Sequence, residues 1–256
     1  MTPSGRPRLS LILPTRNRKD LFAAVLETVF RDKRDHPDLE IIVVDGGSTD
    51  GTVEVIRAHE GDLAWHGTSD DGIYAALNLG LRHATGEYVR MVSDDDEYVT
   101  GCLPYFADYA REHPEYLAIG GMGGFVQVDV EGNERDVDMG FHPGEITMDS
   151  YIHADSLVLC VHEALFFRRD ALEAVGGWDT RFNVSADIDV MFRLLRYGGK
   201  MMILPRTVMI ARRGVTSISQ KHFILARVEP LISLILAGQW RIFGKCLRVI
   251  MRKHLF

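Results

Sequence analysis

Three short apolar runs, each ended by a polar cluster and separated from the next by a helical pattern, constrain the architecture of the N-terminal half. Leu9–Leu13 ends at Pro14, Glu40–Val44 at Asp45-Gly46-Gly47-Ser48, and Glu87–Val92 at Ser93-Asp94-Asp95-Asp96. Short runs of this kind read as strands buried on both faces. Between the first two, Leu21, Val25, Val29 and Phe22, Leu26, Phe30 form rows spaced by four, which predicts a helix over Asp20–Phe30. Asp50 is placed to cap a helix running to Ala58. Ile73, Leu77, Leu81 and Ala84 mark another, closed at Gly86. Strand, helix, strand, helix, strand predicts an α/β chain with a parallel sheet and crossover helices. Ligands of such sheets bind beyond the carboxyl ends of the strands, where Pro14–Asn17, Asp45–Ser48 and Asp94–Asp96 all fall.

The second half is patterned differently. Phe125–Val130 and the turn Glu131-Gly132-Asn133 predict a hairpin, and Ser156–Arg168 is a mostly apolar stretch. Helices are expected over Asp170–Val175, closed by Gly176-Gly177, and over Asp187–Tyr197, closed by Gly198-Gly199. Met201–Leu204 and Val208–Ala211 read as short strands. No repeat or linker interrupts the chain, so residues 1–220 are expected to share one core.

Composition narrows the functional classes. With 36 acidic against 29 basic residues and a net charge of -7, nucleic acid is not an expected partner. Cys102, Cys160 and Cys246 are scattered, with no metal or redox spacing, which suits a reducing cytosol. The polar opening Met1–Arg8 carries no leader signal, and no apolar run reaches the roughly 18–20 residues of a membrane span.

Three constellations can carry chemistry. Adjacent carboxylates at Asp94, Asp95 and Asp96 repel one another, and a cation relieves that repulsion. Hard oxygen ligands select Mg²⁺ or Mn²⁺, ions that in turn hold phosphate oxygens; a solvated acidic turn is the competing reading. In Asp45–Thr52 the glycines let a backbone approach a ligand, and Asp45 can accept hydrogen bonds from a base or ribose; turn and cap chemistry accounts for the same residues. Asp187 is either a helix cap or a general base for an incoming hydroxyl. Gly120-Gly121-Met122-Gly123-Gly124 lacks the spacing of a dinucleotide fingerprint, and no Walker A sequence occurs.

Taken together, these segments resemble the family 2 glycosyltransferases, which have the GT-A fold. Leu11–Arg18 is similar to that family's opening strand and nucleotide loop, and Ile41–Thr52 to its second strand and turn. Asp70–Gly80 resembles the following stretch in a subgroup that makes bacterial surface polysaccharides, and Ala84–Val89 leads into the aspartates as it does there. Gly176-Gly177-Trp178-Asp179, Phe182 and Ala186-Asp187-Ile188-Asp189 resemble the acceptor-side motif. The likeness spans roughly residues 8 to 215.

The resemblance implies a mostly parallel sheet flanked by helices, with a nucleotide half at about 8–98 and an acceptor half at about 99–220. It implies a nucleotide-sugar donor, by the family's habits UDP-linked, surrounded by Pro14, Thr15, Asn17, Asp45, Asp70 and Asp94. It implies Mn²⁺ or Mg²⁺ on Asp95 with Asp94 or Asp96, and inverting transfer by one displacement with Asp187 as base. His162 matches a segment of the polysaccharide subgroup, as an acceptor or phosphate contact, with a structural histidine as the alternative; Arg212 and Arg213 follow a strand, placed to clamp phosphate oxygens from a mobile loop, with a solvated basic loop as the alternative. Three positions depart from the family pattern: Gly46 replaces a second aspartate, Ser93 the first aspartate of DxD, and Ala186 a glutamate. A nucleotidyltransferase would open with a glycine-rich loop instead of Pro14-Thr15-Arg16-Asn17, and a degenerate binding domain would bind without turnover.

The tail, 221–256, reads as a basic amphipathic extension. No acid follows Glu229, and Arg241, Lys245, Arg248 and Arg252 share one helical face, with Phe243, Leu247, Ile250 and Met251 largely on the other side. Such a helix either lies on an anionic membrane, at the inner face of the cell membrane, or packs on the domain with its basic groups snorkelling. The first case is compatible with a lipid-linked sugar as acceptor, beside a glycan.

Overall fold

The computed structural model describes residues 8–68, 72–94, 96–128, 133–136, 142–153, 160–213, 228–232 and 243–244. In chain order its elements are β1 (Leu9–Thr15), α1 (Lys19–Asp35), β2 (Glu40–Asp45), α2 (Thr52–Arg57), β3 (Ala64–Gly67), α3 (Ile73–His83), β4 (Tyr88–Met91) and β5 (Asp96–Tyr98). There follow α4 (Leu103–Glu112), β6 (Tyr116–Val128), β7 (Glu134–Asp136), β8 (Gly144–Ile146), α5 (Met148–His153), β9 (Leu165–Arg168), α6 (Arg169–Ala174), α7 (Ala186–Arg196) and β10 (Lys200–Arg213). A 3₁₀ turn, His162–Ala164, leads into β9.

The strands form one sheet in the order β3-β2-β1-β4-β9-β6-β10-β5, with β7 beside β6 and β8 beside β10. Neighbours from β3 to β4 are parallel. β9 is antiparallel to both β4 and β6, so β6 and its parallel partner β10 run in the direction of β1. The sheet is therefore mostly parallel, with helices on both faces. Alternation along β1 divides the core: Leu11 and Leu13 pack with Phe22, Leu26 and Val29 of α1 and Phe106 of α4. Ile12 faces the other side, with Leu77 and Leu81 of α3 and Val190 of α7. Both layers take residues from β1, β9 and β10.

The helices α1, α3, α6 and α7 lie where the apolar spacing predicts them, and β7 pairs antiparallel with β6 as the hairpin signal predicts. β5, β8 and α5 have no counterpart in the sequence expectation, and four further elements differ from it for physical reasons. The edge strand β3 is only four residues long and largely exposed, so it carries no apolar pattern. α4 buries Leu103, Phe106, Ala107 and Ala110, a helical spacing to which the sequence reading assigns nothing. β6 starts at Tyr116, far ahead of the predicted Phe125, because its glycines are packing positions. A Cβ on Gly121 would lie 2.3 Å from the Arg206 carbonyl oxygen, and one on Gly120 2.5 Å from Leu165. β10 is a single strand through the predicted gap, with a shift in register between Ile203 and Thr207 that absorbs Pro205.

Of the 221–256 extension, residues 228–232 and 243–244 are helical; the basic residues Arg241, Lys245, Arg248 and Arg252 lie outside the described residues. Among the described residues, no helix is long and apolar enough to cross a membrane.

Candidate active site

A cavity of about 170 Å³ opens beyond the carboxyl ends of β1 to β4. It is lined by Pro14, Thr15, Arg16 and Arg18 after β1, Gly46 and Thr68 after β2 and β3, Gly72, Ile73 and Ala76 at the start of α3, and Asp94 after β4. The walls are tied together by the backbone: Gly46 N–H donates to the Thr15 carbonyl at 2.9 Å, and Thr68 N–H to the Asp45 carbonyl at 2.9 Å. Thr15 Oγ1 donates to Asp94 Oδ2 at 2.9 Å, which links the end of β1 to the acidic cluster. Of the residues expected around a nucleotide, Pro14, Thr15 and Asp94 therefore meet at one cavity.

Asn17 and Asp45 are placed differently. Asp45 is 3% exposed, and its carboxylate accepts from the N–H groups of Gly47 and Ser48, each at 3.0 Å, closing its own turn. Asn17, at φ 51°, accepts from Thr49 N–H at 2.8 Å, and its own N–H donates to Ser48 Oγ at 2.8 Å. Asn17 fastens the loop after β1 to the loop after β2, and Asp45 shapes the second of them. Asp70 and Asp95 lie outside the described residues, and of Asp96 only the backbone is described, opening β5 opposite Ala211. The cavity also contains two cations that the sequence reading does not single out, Arg16 and Arg18. Their signal is their position in the loop that directly follows β1.

Asp94 brings a carboxylate to the cavity wall, and an oxygen donor there fits a hard divalent cation. Among the described residues, no three His, Cys, Asp or Glu side chains cluster as ligands.

The second group of residues surrounds the start of α7. Burial, then the Glu163 carboxylate and finally that of Glu229 push the Asp187 carboxyl up to about 7, against the N–H groups of its own first turn. Its Oδ1 is buried and has no hydrogen-bond partner among the described residues. Burial and the charges of Asp187 and Glu163 raise Tyr74, whose oxygen faces the N–H groups of Ala186 and Asp187. Tyr74 follows Ile73 on α3, which lines the cavity, so one helix turn connects the two groups.

His162 is 2% exposed, and its Nε2 accepts from Trp178 Nε1 at 2.9 Å. Burial depresses its basicity to about 3, so the ring is neutral and carries no charge for a phosphate. Trp178 is held in turn by Asn78, whose Nδ2 donates to the Trp178 carbonyl at 2.6 Å and whose Oδ1 accepts the Trp178 N–H at 2.9 Å. Arg90, 2% exposed on β4, donates from Nε to the Glu163 carbonyl at 2.9 Å and fixes the turn that carries His162 and Glu163. Arg212 and Arg213 lie within β10, opposite Val126 and Gln127, and not in a loop after it: the strand continues past the predicted end at Ala211. Their side chains lie outside what is described.

The family described as "Glycosyl transferase family 2" matches residues 10–176, from β1 to the end of α6. The chain belongs to glycosyltransferase family 2. This glycosyltransferase is 30% identical over 193 residues to the "PGL/p-HBAD biosynthesis glycosyltransferase" of Mycobacterium bovis, an alignment covering 73% of the chain and 69% of that protein. Its fold is that of TarS residues 1–349 from S. aureus in complex with UDP-GlcNAc, with a TM-score of 0.71 and 17% identity over 96% of this chain and 73% of the other. It is also similar to the mannosyltransferase PcManGT from Pyrobaculum calidifontis in complex with GDP-Man and Mn²⁺, with a TM-score of 0.60, 20% identity, and coverage of 96% and 75%. The enzyme thus has a GT-A fold. The family match ends before Asp187.

Proposed function

We propose that this glycosyltransferase moves a sugar from a nucleotide-sugar donor, UDP-linked, to a hydroxyl of a glycan or lipid-linked acceptor in polysaccharide or glycolipid synthesis, with inversion. The observation that carries this reading is the half-buried Asp187, raised to about 7 at the start of α7 and faced by Tyr74 of α3, the helix whose Ile73 lines the cavity beside Asp94. A base of that strength is well matched to a hydroxyl proton near neutral pH. UDP-GlcNAc in the complex of TarS, which shares the fold, supports the choice of donor class.

In this reading the nucleotide half, about 8–98, holds the donor. Pro14, Thr15 and Asp94 contact the nucleotide, Asp70 lies beside it, and Asn17 and Asp45 hold the wall. Arg16 and Arg18 draw the diphosphate to the cavity. Asp95, with Asp94 or Asp96, would hold Mn²⁺ or Mg²⁺, which when bound neutralises the diphosphate leaving group. The acceptor half, about 99–220, presents Asp187. Its carboxylate takes the proton of the acceptor hydroxyl as that oxygen forms a bond to the anomeric carbon. The bond from that carbon to the donor phosphate breaks, and its electron pair leaves on the nucleoside diphosphate. One attack from the opposite face inverts the centre and needs no covalent sugar intermediate. Arg212 and Arg213 remain candidates for phosphate contact, and His162 orders the acceptor side through Trp178.

The test is nucleoside diphosphate release from a panel of UDP-, GDP- and dTDP-sugars, with Mn²⁺, with Mg²⁺ and with EDTA, supplying membrane lipid extract as acceptor. The expected result is metal-dependent release from a UDP-sugar, lost in Asp95→Ala, with the product sugar inverted at the anomeric carbon. Retained anomeric configuration, or full activity in EDTA, would contradict the mechanism.

A further inference from the structure

Glu229 belongs to the helical residues 228–232 of the extension, yet it is only 4% exposed. A buried carboxylate is costly unless its oxygens are hydrogen-bonded. Here Oε1 accepts from the Asn183 backbone N–H at 2.8 Å and from Asn183 Nδ2 at 3.4 Å. Oε2 accepts from Val184 N–H at 2.8 Å and Ser185 N–H at 2.9 Å. Three successive N–H groups converging on one carboxylate form an anion nest, and it lies directly before the first turn of α7. The Ser185 side chain makes no cap hydrogen bond to that helix, so the chain entering it is oriented by Glu229. Leu231, two residues on, packs against the core layer that contains Val190 of α7, which keeps the segment in place.

We propose that Glu229 is a positioning residue for sugar transfer: by gripping the N–H groups of residues 183–185 it sets the first turn of α7 and the direction of the Asp187 carboxylate. The inference rests on Asp187 being the base, and it gives the extension a part in the reaction beyond any membrane role. Glu229 is also one of the charges that Asp187 faces. Among the described residues it also faces the charge of Glu163 on the 3₁₀ turn and the neutral side chains of Tyr74 and Cys160. Both glutamates favour protonated Asp187. Removing the charge of Glu229 lets Asp187 ionise at lower pH, whereas shortening the side chain keeps the charge and weakens the grip.

The full chain and its variants Glu229→Gln, Glu229→Asp and Asp187→Asn are assayed across pH by nucleoside diphosphate release, using the UDP-, GDP- and dTDP-sugar panel with Mn²⁺. Glu229→Gln is expected to lower kcat about 10- to 100-fold with donor KM within about twofold, because displacing a catalytic group by about 1 Å costs on that order. Its acidic limb moves to lower pH, while Glu229→Asp loses kcat with the limb in the wild-type position. Wild-type kcat and pH limb in Glu229→Gln, in an enzyme that Asp187→Asn inactivates, would overturn this inference alone. Full turnover in Asp187→Asn would overturn the assignment of the base and the inference with it. Should Glu229→Gln not fold, Glu229→Asp decides, since wild-type kcat in a shortened side chain contradicts a positioning role.

Discussion

Asp187 is held at the balance point of opposing forces. Burial and the Glu163 charge favour the acid, and the N–H groups of its own turn favour the carboxylate. With a folded value near 7, kcat/KM for transfer should rise through about pH 7 and then level, which a steady-state pH profile checks. The sign for stability is opposite. A carboxyl raised above its unfolded value of 3.8 costs nothing below that pH, destabilises progressively as pH rises toward 7, and exerts its full penalty above it. Asp187→Asn should therefore raise the stability by about 4 kcal/mol at pH 8 and leave it nearly unchanged at pH 3.5, as read from denaturant unfolding. On the donor side, Thr15→Val removes the hydrogen bond to Asp94 without changing shape. A loss of about 1 kcal/mol is expected, read as a several-fold rise in donor KM with kcat little altered.

At the scale of the element, the glycine run of β6 shows why part of the fold was hidden. Gly121 lacks a side chain because the Arg206 carbonyl of β10 occupies that space. Gly121→Ala should destabilise the protein by about 2 kcal/mol or more, measured as a lower thermal midpoint, since backbone cannot yield as a flexible side chain can. Glycines there read as a break in the sequence, although they are the condition for close strand packing. The elements that were legible, β1, β2, β4, α1, α3 and α7, each bury a repeating apolar row. β3 has no such row because it is an exposed edge. β10 appeared as two pieces because Pro205 interrupts its pattern, whereas a register shift lets the strand continue. The cavity at the strand ends was legible from strand order alone. The engagement of Asp45 and Asn17 in loop closure was not, since a turn carboxylate and a ligand carboxylate look alike in sequence. Nor was Glu229, which lies 44 residues from its partner Ser185.

At the scale of the whole molecule, a single sheet lets α3 serve both halves: Ile73 lines the donor cavity while Tyr74 faces the start of α7. In the proposed function the donor and the base are thereby set on one sheet. The extension 221–256 has one acid in its sequence, Glu229, which is buried in the nest; its other charged residues are basic. Binding to anionic phosphatidylglycerol vesicles is expected, and reversal of Arg241, Lys245, Arg248 and Arg252 to glutamate should abolish it, as read by co-sedimentation. The claim on which the account turns is the role of Asp187. The most direct measurement is nucleoside diphosphate release and donor affinity for Asp187→Asn beside the wild type at pH 8 with Mn²⁺. The account predicts turnover reduced by about 10³-fold with donor affinity unchanged; wild-type turnover in Asp187→Asn would contradict it.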